Sequence, residues 1–225
     1  MYQFVTGPLL WLSFAIFVVG CIVRVIRYIR GLDWQADRVA YTVHFSYGMK
    51  GAIRSIAFWL FPFGTRSWRN NPVFTVVFFV FHIGLLVTPV FLLAHNIILK
   101  ERWGFSLWTI PESVADVMTI GVIVAAIFLI LRRIALSEVR ILTTTYDLVV
   151  LAIAVAPFVT GFIAHHIASD YKFWVIVHVI CGEIMMIAIP FTKLSHFVLF
   201  FMSRAQLGMD YGIKRGGMKG KGFAW

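Results

Sequence analysis

Residues 72–99, "PVFTVVFFVFHIGLLVTPVFLLAHNIIL", contain no Asp, Glu, Lys or Arg. A helix crosses the hydrocarbon core of a bilayer with about 20 apolar residues. A charge-free run of this length is a membrane span, and its two histidines, His82 and His95, are the only strongly polar ring side chains in it. Four further apolar blocks flank it, at about residues 8–28, 114–131, 147–168 and 173–202. Uninterrupted β-branched stretches suggest buried strands, but blocks this long in so apolar a chain favour helices. The chain has 225 residues, 60% hydrophobic and 13% charged, whereas a soluble domain is about a quarter charged. The expected fold is an all-α integral membrane protein, a five-transmembrane-helix bundle. It forms a single domain over residues 1–203, followed by a basic tail, 204–225.

The net charge of +10 does not point to nucleic acid, because the basic residues sit between apolar blocks and form no patch interleaved with exposed aromatics. They set topology instead. The loop 29–71 and its edges carry Arg24, Arg27, Arg30, Arg38, Lys50, Arg54, Arg66 and Arg69. Arg132, Arg133 and Arg140 follow span three, and Lys193, Arg204, Lys214, Arg215, Lys219 and Lys221 lie near or beyond the end of span five. The opposite side has only Lys100, Arg102 and Lys172. The positive-inside rule therefore predicts an outside N-terminus and a cytoplasmic C-terminus. No charged side chain precedes Arg24, so the first block is expected to be a retained span and not a cleaved leader. "AIRSIAFWLFPFG", residues 52–64, is too short to span and is predicted to lie in the inner interface. Cys21 and Cys181 both fall in apolar blocks and are expected to be packing residues. No Cys-x-x-Cys-His motif is present.

Seven histidines carry the chemistry. Besides His82 and His95, span five is bracketed by His178 and His196 in "HVICGEIMMIAIPFTKLSH". His165 and His166 end span four, and His44 lies in the loop as a surface or packing residue. On one continuous helix the step from His178 to His196 is five full turns, about 27 Å, on a shared face. From His82 to His95 it is about 20 Å, with Pro89 able to change the phase. Spans two and five run antiparallel, so depth pairs His82 with His196 on the inner half and His95 with His178 on the outer half. Two imidazole pairs at two depths match two bis-histidine b-type haems. Zinc would add cysteine or carboxylate ligands that neither level offers. His165 and His166 are the rivals of His95 for the outer site. Gly84 and Gly182 have two readings, close approach of a macrocycle or of a neighbouring helix. Glu183, an acidic side chain well inside a span, is a candidate proton carrier for a quinone. Candidate partners for haem propionates are Arg66, Arg69 and Lys193 on the inner side and Lys100, Arg102 and Lys172 on the outer.

The histidine with a glycine four residues on (His178, Gly182), followed by Pro-Phe-Thr-Lys-Leu-Ser-His at 190–196, resembles the matching helix of respiratory nitrate reductase gamma subunits. "FHIG" at His82 and "RILTTTYD" at 140–147 resemble that family too, and the likeness covers residues 1 to about 203. It implies a dihaem cytochrome b, an electron-transfer subunit of a membrane oxidoreductase complex. His82 and His196 would bind the inner haem, and His178 would be one ligand of the outer. The gamma-subunit pattern puts the remaining ligand where this chain has Leu92, and His95 stands one turn further on. That shift, with Glu183 and the short chain, is more similar to the membrane cytochrome b of Hmc- and Tmc-type transmembrane redox complexes of sulfate reducers. The implied partners are a cytoplasmic iron–sulfur subunit similar to heterodisulfide reductase, other membrane subunits and a periplasmic multihaem cytochrome c. Membrane quinone is implied as well, with menaquinol oxidised or menaquinone reduced. Two other function classes are a transporter or proton-conducting protein with a His/Glu relay, and a non-redox membrane anchor.

Overall fold

Five helices are long and apolar enough to cross a membrane in the computed structural model of the chain. It describes residues 2–32, 44–167 and 169–214, and among these there is no strand. Arg38, Arg215, Lys219 and Lys221 of the charge argument, and the end of the tail, lie outside them. In chain order the helices are α1 (Tyr2–Arg30), α2 (Phe45–Leu60), the short α3 (Arg66–Asn70), α4 (Pro72–Phe91) and α5 (Leu93–Trp103). They continue with α6 (Glu112–Ala135), the short α7 (Ser137–Arg140), α8 (Thr145–His166), α9 (Tyr171–Phe191) and α10 (His196–Lys214). The spans are α1, α4, α6, α8 and α9.

The chain divides into two units, residues 1–14 with 76–186 and residues 15–75 with 187–225. The first is built on Phe81, Val122, Ala125, Ala126 and Phe158, buried where α4, α6 and α8 meet. Small residues on α6 permit this close packing, which in lipid rests on van der Waals contact because water exclusion gives little. The other face of α6 presents Val117, Ile120, Val124, Ile127, Leu131 and Ile134, all exposed. An apolar stripe along the length of a helix, left bare by the protein, is suited to lipid. Span four, expected from about residue 147, starts at Thr145. The Asp147 carboxylate accepts from the Thr144 N–H at 2.9 Å and from its hydroxyl at 2.8 Å, fixing the entry into α8.

In the second unit the run 52–64 is helical only to Leu60 and belongs to α2. Gly51 of α2 and Gly208 of α10 bring the two helix backbones so close that a Cβ at either would strike the other's main chain. Since α10 runs unbroken from His196 to Lys214, the tail boundary expected after residue 203 falls inside a helix.

Two expected spans are interrupted. The run 72–99 is not one helix: α4 stops at Phe91, Leu92 takes an extended conformation (φ −66°, ψ 133°) and α5 restarts at Leu93. Bare carbonyls at such a break are expensive away from water, and Asn96, 1% exposed, covers them. Its Nδ2 donates to Val90 O at 2.9 Å and Leu92 O at 3.0 Å, while Oδ1 accepts from Leu107 N–H at 2.8 Å. Span five, expected over 173–202, likewise ends at Phe191. Thr192 is extended (φ −117°, ψ −172°), and its hydroxyl donates to Ala188 O at 2.7 Å and accepts from Leu194 N–H at 3.1 Å. One helix is thereby closed and the next opened, through a short 3₁₀ turn over Lys193–Ser195. The continuous-helix count of five turns from His178 to His196 does not apply.

Candidate functional site

Within the first unit, His95 of α5 and His178 of α9 face one another. Their ring centres are 6.0 Å apart and their planes 17° from parallel. The break at Leu92 resets the phase of α5 relative to α4, which an uninterrupted helix would not do. His95 Nδ1 lies 2.8 Å from Pro89 O, and His178 Nδ1 lies 2.8 Å from Pro157 O of α8. A carbonyl only accepts, so in both rings Nδ1 carries the proton and Nε2 is the nitrogen left to coordinate. Gly161, one turn along α8 from Pro157, makes room for the second ring: a Cβ there would sit 3.0 Å from His178 Cε1 and Nδ1.

The two glycines with open readings now separate. A Cβ on Gly84 would lie 2.5 Å from Val122 Cγ2 and 3.1 Å from Met118 O. Gly84 therefore serves the packing of α4 on α6. A Cβ on Gly182 would meet nothing within 4 Å. Helix packing does not explain this glycine, and open space lies beside α9 one turn from His178. Next to it Glu183 is 3% exposed, and neither carboxylate oxygen has a hydrogen-bond partner among the described residues.

His82 belongs to the first unit and His196 to the second. His82 Nδ1 lies 2.8 Å from Phe78 O, with the Phe78 ring 4.0 Å from the imidazole between centres. His196, the first residue of α10, has Nδ1 2.8 Å from Lys193 O. All four histidines singled out by the sequence thus hold Nδ1 on a backbone carbonyl. His165 and His166 differ: their Nε2 atoms turn to carboxylates of α6, Glu112 Oε1 at 2.9 Å and Asp116 Oδ1 at 3.0 Å. Of the rivals for the partner of His178, it is His95 that the fold brings to that ring. Arg69, expected near an inner propionate, directs Nη1 to Phe63 O at 2.9 Å and Gly64 O at 3.1 Å. It closes the loop whose Phe63 has φ 62°.

Sequence reasoning did not find Gly161, Asn96, Glu112 or Asp116. Gly161 and Asn96 act on backbone and ring atoms of other segments, for which a linear pattern holds no signal. Glu112 and Asp116 did carry a signal, two carboxylates one turn apart at the head of a span.

The site defines a helical, multi-pass membrane protein that presents paired intramembrane imidazoles. The chain is 58% identical over 226 residues to a protein of Nitratidesulfovibrio vulgaris strain Hildenborough, covering 100% of each, and it belongs to the same family as that protein. No family model matches the chain, and no solved structure matches it.

Proposed function

We propose that this chain is the membrane cytochrome b subunit of a respiratory redox complex, holding two bis-histidine b-type haems in a bacterial cytoplasmic membrane. The observation that carries the reading is the His95–His178 pair, with ring centres 6.0 Å apart. At that separation His95 and His178 would be the two residues that hold the iron of one haem. Both Nδ1 atoms are committed to backbone carbonyls, the arrangement that fixes ring orientation and raises ligand basicity. The space beside Gly182 suits a flat group lying against α9. The second haem, on His82 and His196, rests on the sequence motif.

Bound haem supplies one-electron chemistry at each level. The chain's own residues hold and orient: Pro89 and Pro157 offer their carbonyls, Gly161 gives His178 its room, and Asn96 stabilises the break that presents His95. Glu183 is the candidate to hold and release a proton for menaquinone. In this reading the N-terminus is outside and the C-terminus cytoplasmic. Electrons pass between menaquinone or a periplasmic multihaem cytochrome c and a cytoplasmic iron–sulfur subunit, alongside other membrane subunits. The test is a reduced-minus-oxidised spectrum and a haem assay on the purified full-length chain. Two b-type haems per chain are expected, and a haem-free, folded chain would overturn the proposal.

A further inference from the structure

Away from the His95–His178 pair, the start of α6 and the end of α8 bring four ligand-type side chains together. Glu112 and Asp116 are one turn apart on α6 and share a face. His165 and His166 are the last two residues of α8. The His165–Glu112 contact is 2.9 Å and the His166–Asp116 contact 3.0 Å. The two imidazoles are also neighbours, with centres 4.5 Å apart. One ligand atom each from Asp116, His165 and His166 falls within 4.8 Å of the others.

The geometry points to a divalent transition-metal site of the zinc class, made by His165, His166 and Asp116 with Glu112 as a fourth ligand. Several features favour a metal over two separate ion pairs. Imidazole and carboxylate oxygen are ligands that zinc accepts, with bonds of about 2.0–2.2 Å. A tetrahedral set of such bonds places donors about 3.3–3.5 Å apart, so side-chain rotation of an ångström or so closes the cluster around one ion. With both imidazoles neutral, the carboxylates carry two negative charges, which one divalent cation cancels. None of the four ligands is a thiolate or thioether that would select a softer ion. The ligands are also reachable, since the side chains of His165 and Glu112 are 52% and 69% exposed. A bound ion would join the head of α6 to the foot of α8, and His165 is one turn from the Gly161 that seats His178. The inference does not depend on the haem reading, because none of its ligands holds a haem there.

The experiment uses the full-length chain in detergent micelles, carrying no polyhistidine tag. Zinc binding is measured by competition with a chromophoric chelator, and zinc-edge X-ray absorption reports the ligand atoms. One zinc ion per chain is expected, in a nitrogen and oxygen shell with two imidazoles. Asp116→Asn and the His165→Ala/His166→Ala double variant should each weaken binding by at least about tenfold, while His44→Ala leaves it unchanged. Helical circular dichroism establishes that each variant is folded, and Glu112→Gln gives a milder independent probe. Absence of saturable binding in the folded parent would overturn the site, as would full binding in folded Asp116→Asn and the double-histidine variant. The four residues would then be two exposed histidine–carboxylate pairs.

Discussion

His95 and His178 lie ring against ring, 6.0 Å between centres and 17° from parallel, although one belongs to a helix that begins only after a break in its span. Under the haem proposal, His95→Ala and His178→Ala should each remove the same haem and leave the other. His82→Ala and His196→Ala should do the reverse. Haem content per chain, with redox titration of what remains, checks the pairing. Retention of both haems in His95→Ala would refute the outer assignment, and loss of one in the His165→Ala/His166→Ala variant would transfer it to those rivals.

Gly161→Ala sets two effects against each other. Alanine in a helix interior is favoured over glycine by about 0.5–1 kcal/mol, but here the added carbon would lie 3.0 Å from the His178 ring. Overpacking of that kind costs about 1–3 kcal/mol, and α8 and the imidazole are both fixed in place. Helicity should be retained, with haem content falling towards one per chain. Two fully occupied haems in Gly161→Ala would mean that His178 has room to spare.

Asn96→Ala should destabilise the chain without touching a candidate ligand. It strips Val90 O and Leu107 N–H of their side-chain partner at a buried break, while Leu92 O keeps the backbone N–H of residue 96. Each buried group left unsatisfied costs about 1–3 kcal/mol, and partial relaxation brings the expected loss to about 2–4 kcal/mol. Thermal unfolding in detergent measures it. An unchanged transition would show that water or lipid headgroups reach the break.

The five spans were legible in the sequence because hydropathy over some twenty residues is a one-dimensional property, as the charge-free run 72–99 illustrates. Four histidines and their spacing were legible for the same reason. The interruptions were less so. Pro190 and Thr192 mark a break, but the count of five turns from His178 to His196 takes one continuous helix as its premise. Nothing near Leu92 announces that Asn96 will reach back over two carbonyls and forward to Leu107. The choice between His95 and His165 or His166 depended on what faces α6, and only folding brings Glu112 and Asp116 to the end of α8. Local runs fixed the elements, while side-chain closures across segments fixed the site.

Glu183 is buried at 3% exposure with neither oxygen hydrogen-bonded among the described residues, so its contribution to stability is poor. A buried polar group without a partner costs free energy, and an apolar residue of similar shape is often neutral or better. Glu183→Leu should therefore leave thermal unfolding unchanged or raise it, and Glu183→Gln should change it little. Activity should respond differently. If Glu183 exchanges protons with menaquinone, both variants should slow menaquinol-driven haem reduction by about 10²-fold or more, the scale of a lost general acid–base group. Reduction by dithionite, which needs no proton carrier, should be unaffected, and both haem spectra should persist. Glu183→Asp, which keeps a titratable oxygen one methylene shorter, should recover part of the rate. If quinol-driven reduction proceeds at the parent rate in Glu183→Gln, the carboxyl takes no part in quinone chemistry. A fall in the unfolding temperature of Glu183→Leu would show that Glu183 has a stabilising partner after all.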